Sequence, residues 1–372
     1  MEVSRVSRPA KGKDASKNLA WNNMPRTAIF KAVVVAFLVV GVVFNKPPPL
    51  APNTREPAAS VSLKKHSDID YHVDEACERL PTIRPSGSYF LDGKIQGGSS
   101  PEGITPAFKV GSYFADKVPR HIGGNHDNFQ LIKEALRGQE GGLAIDFGAN
   151  QGFYTYYLAS LGMQVHSFEI NEKNVKALQH GAEFNAKEVA DRVHVYPLGI
   201  GATNARFGMQ GTDYHGHLEQ GKAGPILGAT FDCFAHHTKG TLDLSRGVAF
   251  VKLDVEGFEI AALRGAKHSL FRPGVVVRAM MAEVGPHRWG RAGVDLAAGV
   301  GEMAELATHF RRSSVLLRGD KHCPHLLADA LGDKSPRILE KSKMYEVKSR
   351  EWGDLMKKME AGGSDCDFFY EN

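Results

Sequence analysis

Two groups of acidic residues in this chain stand where carboxylates do chemistry. The first opens with Asp146, two residues ahead of Gly148 in the stretch Leu143–Asn171, LAIDFGANQGFYTYYLASLGMQVHSFEIN. Gly148 and Gly152 bracket a turn with three residues between them. A dinucleotide turn reads G-x-G-x-x-G, so that backbone amides can approach a pyrophosphate at a helix N-terminus. The spacing here is different, and a carboxylate at Asp146 would repel a pyrophosphate. It suits a ligand that carries an ammonium or sulfonium group. Glu169 closes the next apolar run, where it can accept hydrogen bonds from ribose hydroxyls. The second group, Asp254, Glu256 and Glu259, lies in Val248–Ala266, VAFVKLDVEGFEIAALRGA. An acid at such a place can take or orient the proton of a hydroxyl. Glu256 and Glu259 would equally complement the positive end of a helix.

The elements that position these acids follow from the pattern. Leu143–Ile145 is a short apolar run closed by Asp146, Phe153–Leu161 is apolar and aromatic, and Gln164–Phe168 is strand-like. Strand, glycine turn, helix and strand make one right-handed βαβ unit of a parallel sheet, whose ligands bind outside the carboxyl ends of the strands. Asn174–Glu183 reads as a helix and Val193–Pro197 as a third strand. Val248–Leu253 is continuously apolar except for Lys252, as a buried parallel strand reads. Asp254 closes it, and a helix follows with Ile260, Leu263 and Ala266 facing inward. Asn128–Leu136 has the spacing of an amphipathic helix packed before the first strand. Gly87–Gly111, rich in glycine, serine and proline, reads as irregular, Asp74–Leu80 as a short helix, and Ala205–Gln220 as a glycine-broken loop.

The turn with its two flanking acids resembles the first and second motifs of class I S-adenosylmethionine-dependent methyltransferases. The run VKLDVEGFEIAALRGA resembles the signature of the FkbM family, usually I-K-I-D-V-E-G-x-E-x-x-x-L-x-G-A. Ala229–Asp232 resembles that family's T-L-D segment, with Phe231 for Leu, and Val275–Glu283 resembles its fifth strand, which ends in an acid. The likeness runs over 142–285, with a further strand at Asp367–Tyr370. His180-Gly181 departs from it, since members often carry Asn there. The resemblance implies a doubly wound, mostly parallel, seven-stranded Rossmann-like α/β sheet and S-adenosylmethionine as cofactor. It places Asp146, Gly148, Asn150, Gly152, Phe153 and Glu169 at the cofactor and Asp254, Glu256 and Glu283 at the catalytic centre. The reaction it implies is O-methylation of a hydroxyl on a glycan or small molecule. A catalytically silent binding module of the same fold is the alternative; a nicotinamide dehydrogenase is disfavoured by the glycine spacing.

With 372 residues, 42% of them hydrophobic, the chain can bury one substantial core. A net charge of +4 without a basic stripe interleaved with aromatics disfavours a nucleic-acid partner. Cys77, Cys233, Cys323 and Cys366 form no C-x-x-C pair, so neither zinc nor a redox pair is indicated, and disulfides are open to them. His215-Gly-His217, His236-His237 and His322-Cys323-Pro324-His325 read as polar loops, because no further ligand stands near them. No metal is expected.

The N-terminus sets the expected compartment. Residues 1–27 are a basic tail with Arg5, Arg8, Lys11, Lys13, Lys17 and Arg26. Residues 28–44 (AIFKAVVVAFLVVGVVF) are apolar apart from Lys31 and would span roughly 26 Å as a helix. The basic flank predicts a cytosolic tail and an uncleaved signal anchor, giving a single-pass type II protein of the endoplasmic reticulum or Golgi with a luminal catalytic domain. Cleavage of the segment, or targeting to another organelle, is the rival reading. Residues 45–75 begin with the proline-rich spacer NKPPPLAPNTREPAAS. An N-terminal extension over 76–141 and a methyltransferase domain over 142–372 complete the expected organisation.

Overall fold

The structure is a computed structural model that describes residues 94–210, 217–219, 226–238, 242–332 and 334–372. The basic tail, the apolar segment, the spacer and the helix expected at 74–80 lie outside the described residues. No described helix is long and apolar enough to cross a membrane.

Strands β1 (Gln96–Ser99) and β2 (Lys109–Ser112) pair as an antiparallel hairpin. This corrects the expectation of irregular chain over 87–111. The glycines here let the hairpin approach its neighbour closely rather than break it: a Cβ on Gly111 would lie 2.2 Å from the carbonyl oxygen of Ala177. Helices α1 (Val118–Gly124) and α2 (His126–Ala135) follow, the second near its expected place.

The βαβ unit forms as the sequence indicates, with β3 (Leu143–Phe147), α3 (Phe153–Ser160) and β4 (Gln164–Phe168). Helix α4 (Glu172–Phe184) is capped by Asn171, whose side chain accepts the Lys173 N–H. After the short α5 (Lys187–Ala190) comes β5 (Val193–Tyr196). Strands β6 (Gly199–Ile200), β7 (Ala205–Gln210), β8 (His217–Glu219) and β9 (Ile226–Ala229) make a separate small sheet in the order β6-β9-β7-β8. Strands β7 and β8 therefore stand where a loop was expected. Helix α6 (Phe231–His237) leads to β10 (Val248–Leu253), α7 (Glu259–Leu270) and β11 (Val277–Val284). The chain ends through α8 (Leu296–Ala307), β12 (Arg312–Leu317), β13 (Arg337–Ile338), β14 (Lys343–Glu346), α9 (Trp352–Gly362) and β15 (Cys366–Glu371).

Among the described residues the main sheet has nine strands rather than seven, ordered β13-β14-β12-β15-β11-β10-β3-β4-β5. Five of them, β5 to β11 in that order, are mutually parallel. Strand β15 is antiparallel to both β11 and β12, and β14 and β13 extend that edge as antiparallel strands. The sheet is mixed, and its extra edge comes from the stretch after 285 where the family pattern fades.

The chain winds outward from β3 through β4 to β5, then returns to β10 on the other side of β3. Ligands of open α/β sheets bind at such a reversal, outside the carboxyl ends of the strands, here those of β3 and β10. Each sheet face carries a hydrophobic cluster. Ile145, Phe147, Val251, Leu253 and Phe368 lie on one face, and Ala144, Phe250, Met281 and Phe369 on the other.

Candidate functional site

The glycine turn is fixed from three sides. The N–H groups of Gly148 and Ala149 both donate to the carbonyl of Phe168 at the end of β4, at 3.0 and 2.9 Å. Gly148 (φ 81°) and Gly152 (φ 92°) occupy left-handed backbone that favours glycine, and Asn150 joins them at φ 51°. Glu169 holds this conformation, because its Oε2 accepts the Asn150 N–H at 2.7 Å. Its Oε1 accepts the N–H groups of Ile170 and Asn171 at 2.8 and 2.7 Å. Three of about four lone-pair directions are thus used, which leaves one on Oε2 for a ligand hydroxyl. Burial pushes the Glu169 carboxyl up to about 7, against the pull of those three amides.

Asp146, at the end of β3, is buried and accepts the Thr155 hydroxyl at 2.6 Å through Oδ2. Thr155 Oγ1 lies 2.8 Å from Ser167 Oγ on β4. Burial raises the Asp146 carboxyl to about 6, opposed by Thr155 and by the charge of Lys252. Phe153 is half-buried, its ring 4.5 Å from that of His121 on α1. Gly152 caps α3; a Cβ there would meet Leu178 Cδ1 at 2.4 Å. At Gly181, in the His180-Gly181 pair that departs from the family pattern, a Cβ would meet the Tyr156 ring at 2.2 Å. That departure makes room for a tyrosine whose hydroxyl donates to the Leu178 carbonyl at 2.6 Å.

Side chains alternate along strands, so Asp146 on β3, Lys252 on β10, Glu283 on β11 and Asp367 on β15 fall on one sheet face. The register supports this: Lys252 pairs with Asp146 and Glu283 with Asp367. Lys252 is buried, with Nζ 3.1 Å from Asp254 Oδ2 and 4.8 Å from the centre of the Tyr154 ring. The charges of Asp254, Tyr154, Glu283 and Asp146 outweigh burial and raise its pKa. Asp367 accepts Asn128 Nδ2 at 2.8 Å and pairs with Arg318. The same Asn128 amide donates to the Tyr154 hydroxyl at 3.0 Å.

Asp254 and Glu283 form the second acidic group. Both are about two-thirds buried, with side chains 28% and 31% exposed. The Asp254 charge, with burial second, pushes Glu283 up to about 8. A carboxyl kept protonated near neutrality beside a second carboxyl suits a hydrogen-bond donor or acid role.

Glu256 is drawn away from this pair. It sits at φ 55° and pairs with Arg288, whose Nη2 also lies 2.6 Å from Asp365 and 3.5 Å from Glu283. Arg288 therefore clamps the loop after β10 to the loops after β11 and α9. Glu259 is fully buried, accepting the Gly257 N–H at 2.7 Å and the Trp289 indole N–H at 3.2 Å. It is a buried brace for the loop, which is more than complementing a helix dipole.

The structure thus brings Asp146, Gly148, Asn150, Gly152 and Glu169 together at the carboxyl ends of β3 and β4 and Asp254 and Glu283 together at those of β10 and β11, while Glu256 is held by Arg288 and Phe153 packs on His121. Sequence reasoning passed over Lys252, Tyr154, Thr155 and Arg288. Lys252 carried a usable sign, since a lysine inside an otherwise apolar buried strand must have a charged or polar partner. Arg288 and Asp365 carried none, because their contact joins distant loops. Among the described residues no cluster of His, Cys, Asp and Glu could hold a metal ion. His236 and His237 are neighbours on α6, and the His215 side of the other pair lies outside the described residues.

A mixed sheet whose parallel part carries this reversal, an acid-flanked glycine turn and an acid on the adjoining strand define a Rossmann-like methyltransferase fold. Residues 146–297 match the family model described as Methyltransferase FkbM domain. No curated protein matches the chain. Among solved structures it is similar to an O-methyltransferase from Bacillus cereus in complex with SAH, at 13% identity, over 65% of this chain and 80% of that one, with a TM-score of 0.33. It is also similar to the C-terminal domain of precorrin-6Y C5,15-methyltransferase from Rhodobacter capsulatus (12% identity, 65% and 85% covered, TM-score 0.31). The methyltransferase domain of bacterial CtHen1-C is a third (9% identity, 67% and 99% covered, TM-score 0.33). At such scores the assignment rests on the family match and the sheet order.

Proposed function

We propose that this chain is an S-adenosylmethionine-dependent O-methyltransferase acting on a hydroxyl of a glycan or small molecule. The observation that carries the reading is the Asp254–Glu283 pair at the strand ends beside the glycine turn. The residues present fit the cofactor. Glu169 keeps one lone pair for a ribose hydroxyl, and Asp146 Oδ1 is a buried carboxylate oxygen without a donor, as a ligand carrying positive charge requires. Bound there, S-adenosylmethionine supplies an electrophilic methyl group on a sulfonium.

An alcohol is a poor nucleophile until its proton is being removed. Asp254, 3.1 Å from the Lys252 ammonium, serves as base or anchor for the acceptor hydroxyl. Glu283 holds a proton near neutrality and can donate a hydrogen bond to the same acceptor. Positioning and exclusion of water supply most of the rate in such a displacement. Mass spectrometry with isotope-labelled cofactor against pooled glycans and metabolites tests the reading. A labelled methyl ether supports it; cofactor binding with no methylated product across those pools would favour the silent binding module instead.

The proposal extends to location. Buried Cys323 and Cys366 form a disulfide and Cys233 is disulfide-bonded as well, which supports an oxidising compartment. With the basic tail and apolar segment, this favours a signal-anchored protein with residues 45–372 in the lumen of the secretory pathway. Protease added to intact microsomes should remove only the N-terminal tail. Digestion of the whole domain without detergent would overturn the luminal placement.

A further inference from the structure

A cleft of about 750 Å³ opens at the other end of the sheet, against the amino ends of β3, β4, β5, β10 and β11. The length of β10, at about 3.3 Å per residue, sets it roughly 20 Å from Asp254. Three arginines line it: Arg246 in the turn before β10, Arg278 on β11 and Arg311 just ahead of β12. Backbone contacts hold these stretches together. The Val248 N–H donates to the Val276 carbonyl at 2.9 Å. Asn372 donates its N–H to the Arg278 carbonyl at 2.9 Å and accepts the Arg311 N–H through Oδ1 at 3.2 Å. All three arginines are exposed, and among the described residues none of them is in an ion pair. Arg278 uses one N–H, from Nε, on the Ala135 carbonyl at 3.0 Å, which leaves it four. The lining carboxylates are Glu140 and Asp243, and Asp243 is taken by Ser245, whose N–H and hydroxyl it accepts at 2.9 and 2.6 Å.

The far end of the cleft is polar without charge. His166 on β4 is 1% exposed, and its ring stacks on that of His194 on β5 at 4.7 Å. Its Nδ1 lies 3.0 Å from the Tyr196 hydroxyl. Its Nε2 has no partner among the described residues and is not sealed from solvent, so it opens on the cleft that the ring lines. Burial keeps that ring neutral, able to donate or accept one hydrogen bond there. Between the two ends, Gly138 and Gly141 leave the floor open, since a Cβ on either would meet nothing within 4 Å.

We propose that this cleft binds a sugar ester of phosphate or sulfate, its oxyanion on Arg246, Arg278 and Arg311 and its hydroxyls toward His166 and His194. Guanidinium forks match the oxygens of a tetrahedral oxyanion two at a time. From β11 to β4 is three strand spacings, roughly 14 Å, more than a lone oxyanion can bridge, so the ligand has a body as well as a charge. Neutral imidazoles and glycine backbone suit hydroxyls on that body. No Phe, Tyr or Trp is among the lining residues to stack on a nucleobase, which favours a sugar over a nucleotide. The volume is in the range of small-molecule sites. The site lies apart from the methyl-transfer residues, and its ligand does not depend on that reading.

Calorimetry on the full-length protein tests this with the 6-phosphates and 6-sulfates of glucose and galactose, the two free sugars, and inorganic phosphate and sulfate. At least one ester should bind about tenfold or more tightly than its free sugar, the scale of a hydrogen bond to a charged group. The same ester should also bind more tightly than its inorganic anion. Preference for phosphate or for sulfate names the ester. Arg246→Gln combined with Arg311→Gln should weaken that ester by about tenfold or more while the thermal melt matches wild type, since both side chains are exposed. His194→Ala should weaken the ester and leave the inorganic anion unchanged. Esters that bind no better than the free sugars, or full affinity in the double arginine variant, would overturn the site. Inorganic anions that bind as tightly as the esters, or a His194→Ala variant that binds the ester as wild type does, would overturn the sugar and leave a bare anion patch.

Discussion

A Cβ placed on Gly148 would stand 1.7 Å from the carbonyl oxygen of Asp254. The two stretches that carry the candidate chemistry therefore touch backbone to backbone. The contact is reinforced by the Asp254 N–H, which donates to the Phe147 carbonyl at 3.0 Å. Gly148 is short of a side chain to let strand β10 close on the turn, and the space a ligand needs is a separate matter. Gly148→Ala should thus destabilise the fold itself, by about 3 kcal/mol or more, since a left-handed conformation and a backbone overlap add together. A thermal melt of the variant that matches wild type would contradict this.

Glu169 has two duties, and its replacement should show both. Its carboxylate braces Asn150 in left-handed backbone and keeps one lone pair for a ligand. Glu169→Ala should weaken S-adenosylhomocysteine by about 1.5–3 kcal/mol, the scale of hydrogen bonds to a charged group. It should also lower the melting temperature without ligand, because three backbone N–H groups lose their acceptor. Titration and melting on one preparation check the pair. Full affinity in the variant would mean that Glu169 serves the turn alone.

The βαβ unit and the strand ending in Asp254 were legible because both depend on local pattern, namely apolar runs closed by acids and glycines at fixed offsets. Asp146, Gly148, Asn150 and Glu169 lie together around the turn, as do Asp254 and Glu283 on the neighbouring strands. What the pattern could not give is set by contacts across the chain. Strands β13 and β14 are short, and β13 is exposed, so they lack the apolar run that marks a buried strand. The β1–β2 hairpin hid in a glycine-rich stretch because its glycines serve close packing on α4 rather than chain breaking. Arg288 and Asp365 lie far apart in sequence, and only the folded loops bring the guanidinium to Glu256, Glu283 and Asp365. Lys252 was visible and passed over, because its partners lie on other strands.

The Cys323–Cys366 disulfide should support the site as well as the fold. It closes a separation of 43 residues, for which chain entropy suggests about 4 kcal/mol. Asp365, next to Cys366, donates its N–H to the His322 carbonyl at 2.8 Å and holds Arg288 at 2.6 Å. Reduction should lower the melting temperature and loosen the Arg288 clamp on Glu256. Melts with and without reductant, alongside Cys323→Ala, measure the effect. An unchanged melt after verified reduction would remove the disulfide from this account.

Asp254 and Glu259 should separate chemistry from support. Asp254→Asn removes charge and basicity while keeping shape, so turnover should fall about a hundredfold or more, as for loss of a general base. Binding of S-adenosylhomocysteine should change little. Glu259→Gln leaves the Trp289 and Gly257 donors sharing a poorer acceptor in a fully buried place. It should cost about 1–3 kcal/mol of stability with a smaller effect on turnover. Equal turnover losses would mean that the two acids act as one cluster. Normal turnover in Asp254→Asn would pass the role of base to Glu283, whose Glu283→Gln variant would then be the one to lose activity.

Stability should depend on pH through the same buried acids. Glu283 is raised to about 8, Glu169 and Glu259 to about 7 and Asp146 to about 6, all above their ordinary values near 4. For each, the folded state binds a proton more tightly than the unfolded one. Their contribution is therefore fully present below the unfolded value and is lost as pH rises through the folded one. Histidine works in the opposite sense: burial lowers His166 to about 3, so folding is penalised as pH falls below the unfolded value of 6.5. Near pH 8 the acids dominate the difference between the two states, and down to about pH 6.5 they outweigh the opposing His166 and His194, so the melting temperature should rise as pH falls across that window. Below it, His166 offsets the gain and the curve should flatten or turn. S-adenosylmethionine, being cationic at sulfur and amine, should stabilise more at pH 8 than at pH 6, where Asp146 and Glu169 are more often protonated. Melts with and without cofactor at half-unit intervals read both slopes. A melting temperature that climbs steadily from pH 6.5 to 8.5 without ligand would show that these carboxyls are ionised at no cost, and that their burial does not govern the site.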